Sequence, residues 1–101
     1  MQLMVNDKII NLKVCNNFFS RLIGNMFTKN IKPLVFNHCN SIHTFFMKKN
    51  IDVLMFDKNK KHLKTYENLR PWKIIFPKKN TYYIVELAAK TIKGNDLIIL
   101  K

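Results

Sequence analysis

The chain has 101 residues, 48% of them hydrophobic, which is room for one domain around one core, so residues 1–101 are expected to fold as a single unit. No apolar run approaches the roughly 18–20 residues of a membrane-spanning helix, and two glycines and three prolines leave no low-complexity linker. The formal charge of +12 predicts some attraction to polyanions, but there is no recognition helix, ribonucleoprotein-type aromatic motif or zinc signature to make such binding sequence-specific.

Residues 2–5 and 8–14 are strand-like, and Asn6-Asp7 between them is a good two-residue turn. Ile9, Ile10, Leu12 and Val14 alternate imperfectly. Asn16 or Asn17 can then cap a short helix near residues 17–23, stopped by Gly24. Lys29 to Pro33 is a loop, and Leu34-Val35-Phe36 opens the next strand. Ile42–Phe46 and Ile51–Phe56 follow, joined through Met47 to Asn50 and expected to pair. The polar turn Asp57–Lys60 predicts an antiparallel hairpin between Ile51–Phe56 and His62–Tyr66. Further strands are expected at Trp72–Phe76, Tyr82–Leu87 and Asp96–Leu100. Ile51–Phe56 is apolar on both faces and should be the central strand. Short strands at near-regular spacing argue a mostly β domain, a compact barrel-like or jelly-roll-like sandwich with that one short helix.

Cys15 and Cys39 allow one disulfide at most, whereas small secreted scaffolds usually carry more; free thiols in a reducing compartment are expected. Asp7 and Lys8 interrupt the basic-then-apolar plan of a secretory signal, which points to the cytoplasm. Among the 18 basic residues only Arg21 and Arg70 are arginine, and the lysines are scattered, as in an A+T-biased coding sequence. Nucleic-acid binding, if present, should be weak, sequence-indifferent and lost with salt.

Cys39 and His43 stand four apart. On a strand that is about 13 Å, too far for a nucleophile–base pair or a shared metal unless the chain bends at Asn40-Ser41. His38 and His62 add no recognisable ligand spacing, so no metal and no cofactor are implied. The six acidic residues are more informative. Asp7, Asp57 and Asp96 occupy turns, where aspartate binds backbone amides. Asp52 and Glu86 each lie inside an apolar strand run, where a carboxylate must be paired or open to a cleft. Arg21, Thr44 and His43 are the candidate donors to Asp52.

At these positions the sequence resembles the bacterial and archaeal group known only as domain of unknown function 192, over nearly the whole chain. The resemblance rests on Arg21-Leu22-Ile23-Gly24, on the run Cys39 to Met47, on Ile51-Asp52-Val53 through Asp57, on Pro71-Trp72-Lys73, on Val85-Glu86-Leu87 and on Gly94-Asn95-Asp96. Relatives usually have leucine where Asn25 stands, proline where His38 stands and glycine where Lys90 stands. The last departure puts in doubt the turn after Ala88-Ala89, because glycine often supplies a positive φ. The resemblance implies a compact, mostly β, barrel-like or jelly-roll-like fold and carries no activity with it.

Three functions fit these residues. The favoured one is a small binding or accessory module for an unknown small molecule or protein, with a pocket around residues 38–57 formed from His43, Thr44, Phe46, Met47, Asp52 and Trp72, and with Arg21 and Glu86 as charged partners. The second is an enzyme using Asp52, or Cys39 with His43, for which nothing completes a mechanism. The third is a non-specific polyanion binder driven by charge.

Overall fold

A computed structural model of the protein describes residues 1–15, 30–37, 42–43 and 47–101. Among these, all regular structure is strand, and the helix expected near 17–23 lies outside them. The strands are β1 (Gln2–Val5), β2 (Lys8–Asn11), β3 (Lys13–Cys15), β4 (Leu34–Asn37), β5 (Ile42–His43), β6 (Ile51–Phe56), β7 (His62–Leu69), β8 (Ile74–Ile75), β9 (Tyr83–Ala88) and β10 (Ile98–Leu100). They form an open, sandwich-like arrangement. A five-stranded sheet of order β3-β4-β9-β6-β7 is accompanied by a three-stranded sheet, β10-β1-β2, and a two-stranded ribbon, β5-β8. Among the described residues the larger sheet ends at β3 and at β7, and the barrel does not close.

The imperfect alternation after Ile9 has a structural cause. The predicted strand 8–14 is two strands, broken at Leu12, where the chain leaves the small sheet for the large one. The Leu12 amide donates to the Met1 carbonyl (2.9 Å) and the Lys13 amide to the Pro33 carbonyl (3.1 Å), so no backbone donor is lost at the switch. The Asn6-Asp7 turn closes the β1–β2 hairpin with Val5 opposite Lys8, and Asn6 takes the left-handed φ of 55° that asparagine tolerates.

Strand β6 is buried at all six residues and interior to its sheet, between β9 and β7, as its apolar faces predict; the middle position belongs to β9. Its hairpin with β7 is antiparallel, as the Asp57–Lys60 turn predicts. The expected pairing of the 42–46 segment with β6 is not formed. β5 pairs instead with β8, Ile42 opposite Ile75 and His43 opposite Ile74, because β6 has both hydrogen-bonding edges occupied. Trp72–Phe76 contributes only two strand residues, since Trp72 is held at φ 64°, outside the β region.

The pleat divides the core. Leu54, Phe56, Val35, Val85 and Leu87 project from one face of the large sheet and pack on Leu3, Val5, Leu12, Ile92 and Leu100. Ile51, Val53, Met55, Leu34, Phe36 and Ile84 project from the other face and pack with Cys15, Met47 and Ile75. Alternating side chains of one strand thus feed two separate clusters, which is why β6 is hydrophobic at every position but Asp52.

Candidate functional site

Asp52 shares the first face with Leu54 and Phe56 and is fully buried. Its carboxylate meets three backbone donors. Oδ1 accepts from the amides of Asn68 (2.8 Å) and Lys90 (3.3 Å), and Oδ2 accepts from the amide of Ile92 (2.9 Å). Two backbone irregularities bring these amides in. The β6–β7 register slips between Ile51 and Val53, so that Glu67 and Asn68 bulge opposite Asp52, and Asn68 adopts φ 56°. The turn after β9 places Lys90 at φ 68°, which aims the Lys90 and Ile92 amides back at the same side chain. With three of about four lone-pair positions taken by fixed N–H groups, this carboxylate is a clamp on a bulge and a turn and poorly placed to act as a base. A shallow cleft of ≈ 210 Å³, lined by Asp52, Glu67, Asn68, Lys90, Ile92 and Lys93, lies over it.

The sequence named Arg21, Thr44 and His43 as donors to Asp52. Arg21 and Thr44 lie outside the described residues, as do Phe46 and Cys39, and β5 places His43 in a different sheet from β6. The backbone donors could not be named in advance, because an amide carries no side-chain signature. The one available signal was Lys90, where the resemblance expects glycine: the positive φ is kept although the glycine is absent.

Glu86 is also buried, 2% exposed, but on the opposite face. It stands across from Val53 on one side and Leu34 on the other, both members of the second cluster. Met47 belongs to that cluster too, and so does Ile75 of the ribbon that carries His43. Trp72 is 60% exposed and points outward. Those of the residues singled out from sequence that are described therefore occupy three places. Asp52 lies beneath one face; Glu86 and Met47 lie beneath the other, with the His43 ribbon beside them; Trp72 is on the surface.

At the rim of the second cluster lies a wider concavity of ≈ 530 Å³, lined by Asn30, Ile31, Lys49, Asn50, Ala88 and Ala89. Ile31 packs against the cluster, and Ala88 is the β9 partner of Ile51. The Asn50 side-chain amide donates to Asn68 Oδ1 (3.0 Å), tying this rim to the bulge beside Asp52.

Residues 1–98 match the family model of DUF192, described as "Uncharacterized ACR". The chain belongs to this family. A UPF0127 protein of Pyrococcus horikoshii is 37% identical over 81 residues, covering 74% of this chain and 70% of that protein. Solved structures share the fold at much lower identity. A protein of unknown function from Novosphingobium aromaticivorans superposes with a TM-score of 0.78 at 11% identity, over 98% of this chain and 84% of its own. A candidate transcription regulator from Sinorhizobium meliloti gives 0.80 at 15% identity, over 96% and 90%. DUF192 membership accounts for the fold and brings no reaction with it.

Proposed function

We propose that this DUF192 protein is a small binding module whose ligand enters the concavity between the 49–50 corner and the end of β9. The observation that carries this reading is the lining itself. One ammonium (Lys49) and two amides (Asn30, Asn50) line it together with the apolar residues Ile31, Ala88 and Ala89, a few polar groups among apolar ones as in small-molecule sites. That lining favours a small molecule bearing a carboxylate or phosphate beside a short apolar part. Asp52 then serves the site indirectly, by fixing the Asn68 bulge on which Asn50 leans.

The test is a thermal-shift screen of small carboxylates, phosphates and amino acids. A ligand at about 100 times its dissociation constant stabilises the fold by about 2.7 kcal/mol. The shift should vanish in Lys49→Ala and persist in Lys58→Ala, an exposed turn lysine outside the concavity. A shift that survives both Lys49→Ala and Asn50→Ala would place the ligand elsewhere. The module is taken to work in the reducing cytoplasm, where Cys15, buried in the second cluster, behaves as a small hydrophobe. Thiol titration of the denatured, non-reduced protein should find both cysteines reactive.

A further inference from the structure

The segment Arg70–Lys79 carries β8 and lies outside the proposed site. Its sequence is RPWKIIFPKK, four cations and no carboxylate, with three of the largest apolar side chains in the protein turned to solvent. Trp72 is 60% exposed, Ile74 55% and Phe76 75%, while Ile75 between the last two is only 8% exposed and sits in the second cluster. The segment is thus pinned from below and presents its neighbours outward. β8 is held by β5, and Pro71 and Pro77 restrict the backbone at either end. Arg70, Lys73, Lys78 and Lys79 are all exposed around the three apolar residues.

We propose that this segment is an interfacial anchor that seats the protein on an anionic lipid surface, with Trp72, Ile74 and Phe76 entering the headgroup–acyl boundary and the four cations meeting lipid phosphates. Three things select that occupant. Charge excludes a second copy of the chain, because two molecules at +12 would bring their basic flanks together. The mixture of an indole, a branched aliphatic and a phenyl ring suits an acyl boundary, which accepts all three; a nucleic-acid strand needs flat faces for its bases, and Ile74 offers none. Indole with lysine at the edge of an apolar tip is also the arrangement found at lipid–water interfaces.

Trp72 is the only tryptophan in the protein, so its fluorescence reports on this segment alone. With phosphatidylglycerol vesicles the emission should shift to the blue and become protected from acrylamide; with phosphatidylcholine vesicles it should stay unchanged. The double variant Ile74→Ser, Phe76→Ser alters only exposed side chains, so its melting temperature should match the wild type, while its partitioning onto phosphatidylglycerol falls roughly tenfold or more. Co-sedimentation without a fluorescence shift, or undiminished in the double variant, would reduce the interaction to charge and overturn the anchor. So would an absence of vesicle binding. Quenching of Trp72 by a single-stranded oligonucleotide, with no response to vesicles, would overturn it in favour of nucleic acid.

Discussion

The two faces of the five-stranded sheet each bury one carboxylate, in different surroundings. Asp52 is held by three backbone amides drawn from a bulge and a turn, so its partners are part of the fold. Glu86 lies four-square in a strand with apolar residues on both sides, facing the cluster to which Met47 and the β5–β8 ribbon contribute. Donors that belong to the main chain can be withdrawn only by moving the local backbone. Over Asp52 the first face carries a shallow cleft of ≈ 210 Å³, and the wider concavity lies at the rim of the second. Asp52 teaches that burial of a carboxylate does not by itself mark a site, because main-chain donors can hold it as part of the fold.

Removing the Asp52 carboxylate is the strongest way to break that contrast. Asp52→Ala leaves three amides without an acceptor, one of them buried, and should cost about 4 kcal/mol in urea denaturation, at roughly 1–3 kcal/mol per orphaned group less relaxation and water entry. Asp52→Asn, which keeps one oxygen but turns an NH₂ towards a donor, should cost about 2 kcal/mol. A variant as stable as the wild type would show that the clamp contributes nothing. An apolar truncation beside it sets the scale: Leu54→Ala, fully buried in the first cluster, should cost about 3 kcal/mol.

Much of this fold could be read from residue patterns. The β1–β2 and β6–β7 hairpins follow from turn chemistry at Asn6-Asp7 and Asp57–Lys60, and the double-faced burial of β6 from apolar residues on both its faces. What could not be read was long-range. Nothing in the 8–14 run says that its halves join different sheets, because a strand switch needs only backbone partners, here Met1 and Pro33. The pairing of β5 with β8 was equally hidden, since two-residue ribbons carry no periodicity. At the candidate site, burial of Asp52 and Glu86 follows from their apolar neighbours, while their opposite faces follow only from register.

Lys90 sharpens the comparison from the backbone side. The clamp needs φ 68° there, and a side chain with a Cβ pays for that conformation where glycine would not. Lys90→Gly should raise stability by up to about 1 kcal/mol, the relief of strain less the extra unfolded-state entropy of glycine. Asn68, at φ 56°, is already a residue that tolerates the left-handed region, so Asn68→Gly should gain nothing. Equal gains at both positions would mean that strain at Lys90 is absent.

The smallest expected effect is one of pH, at the rim of the first face. His62 pairs with Phe56 across the β6–β7 hairpin, its ring centroid 5.4 Å from that of Phe56. Partial burial there holds its pKa below the usual 6.5, outweighing the backbone hydrogen bond at Lys64 that pulls it up. The folded protein therefore prefers neutral imidazole, while the unfolded chain takes up its proton near 6.5. Stability from this group is complete above that pH and declines as pH falls below it, until the folded imidazole also protonates. Asp96 is held below its usual 3.8, first by the Lys93 amide and then by the Asn6 side chain; its contribution is present above that value and is lost only as pH falls through its lower folded pKa. The two windows are separate. Between pH 6.5 and the carboxylate range, His62→Gln should flatten part of the stability slope seen in the wild type, by less than the Lys90→Gly gain because solvent screens an exposed ring. Identical slopes for the two proteins in that window would show that contact with Phe56 does not desolvate the imidazole.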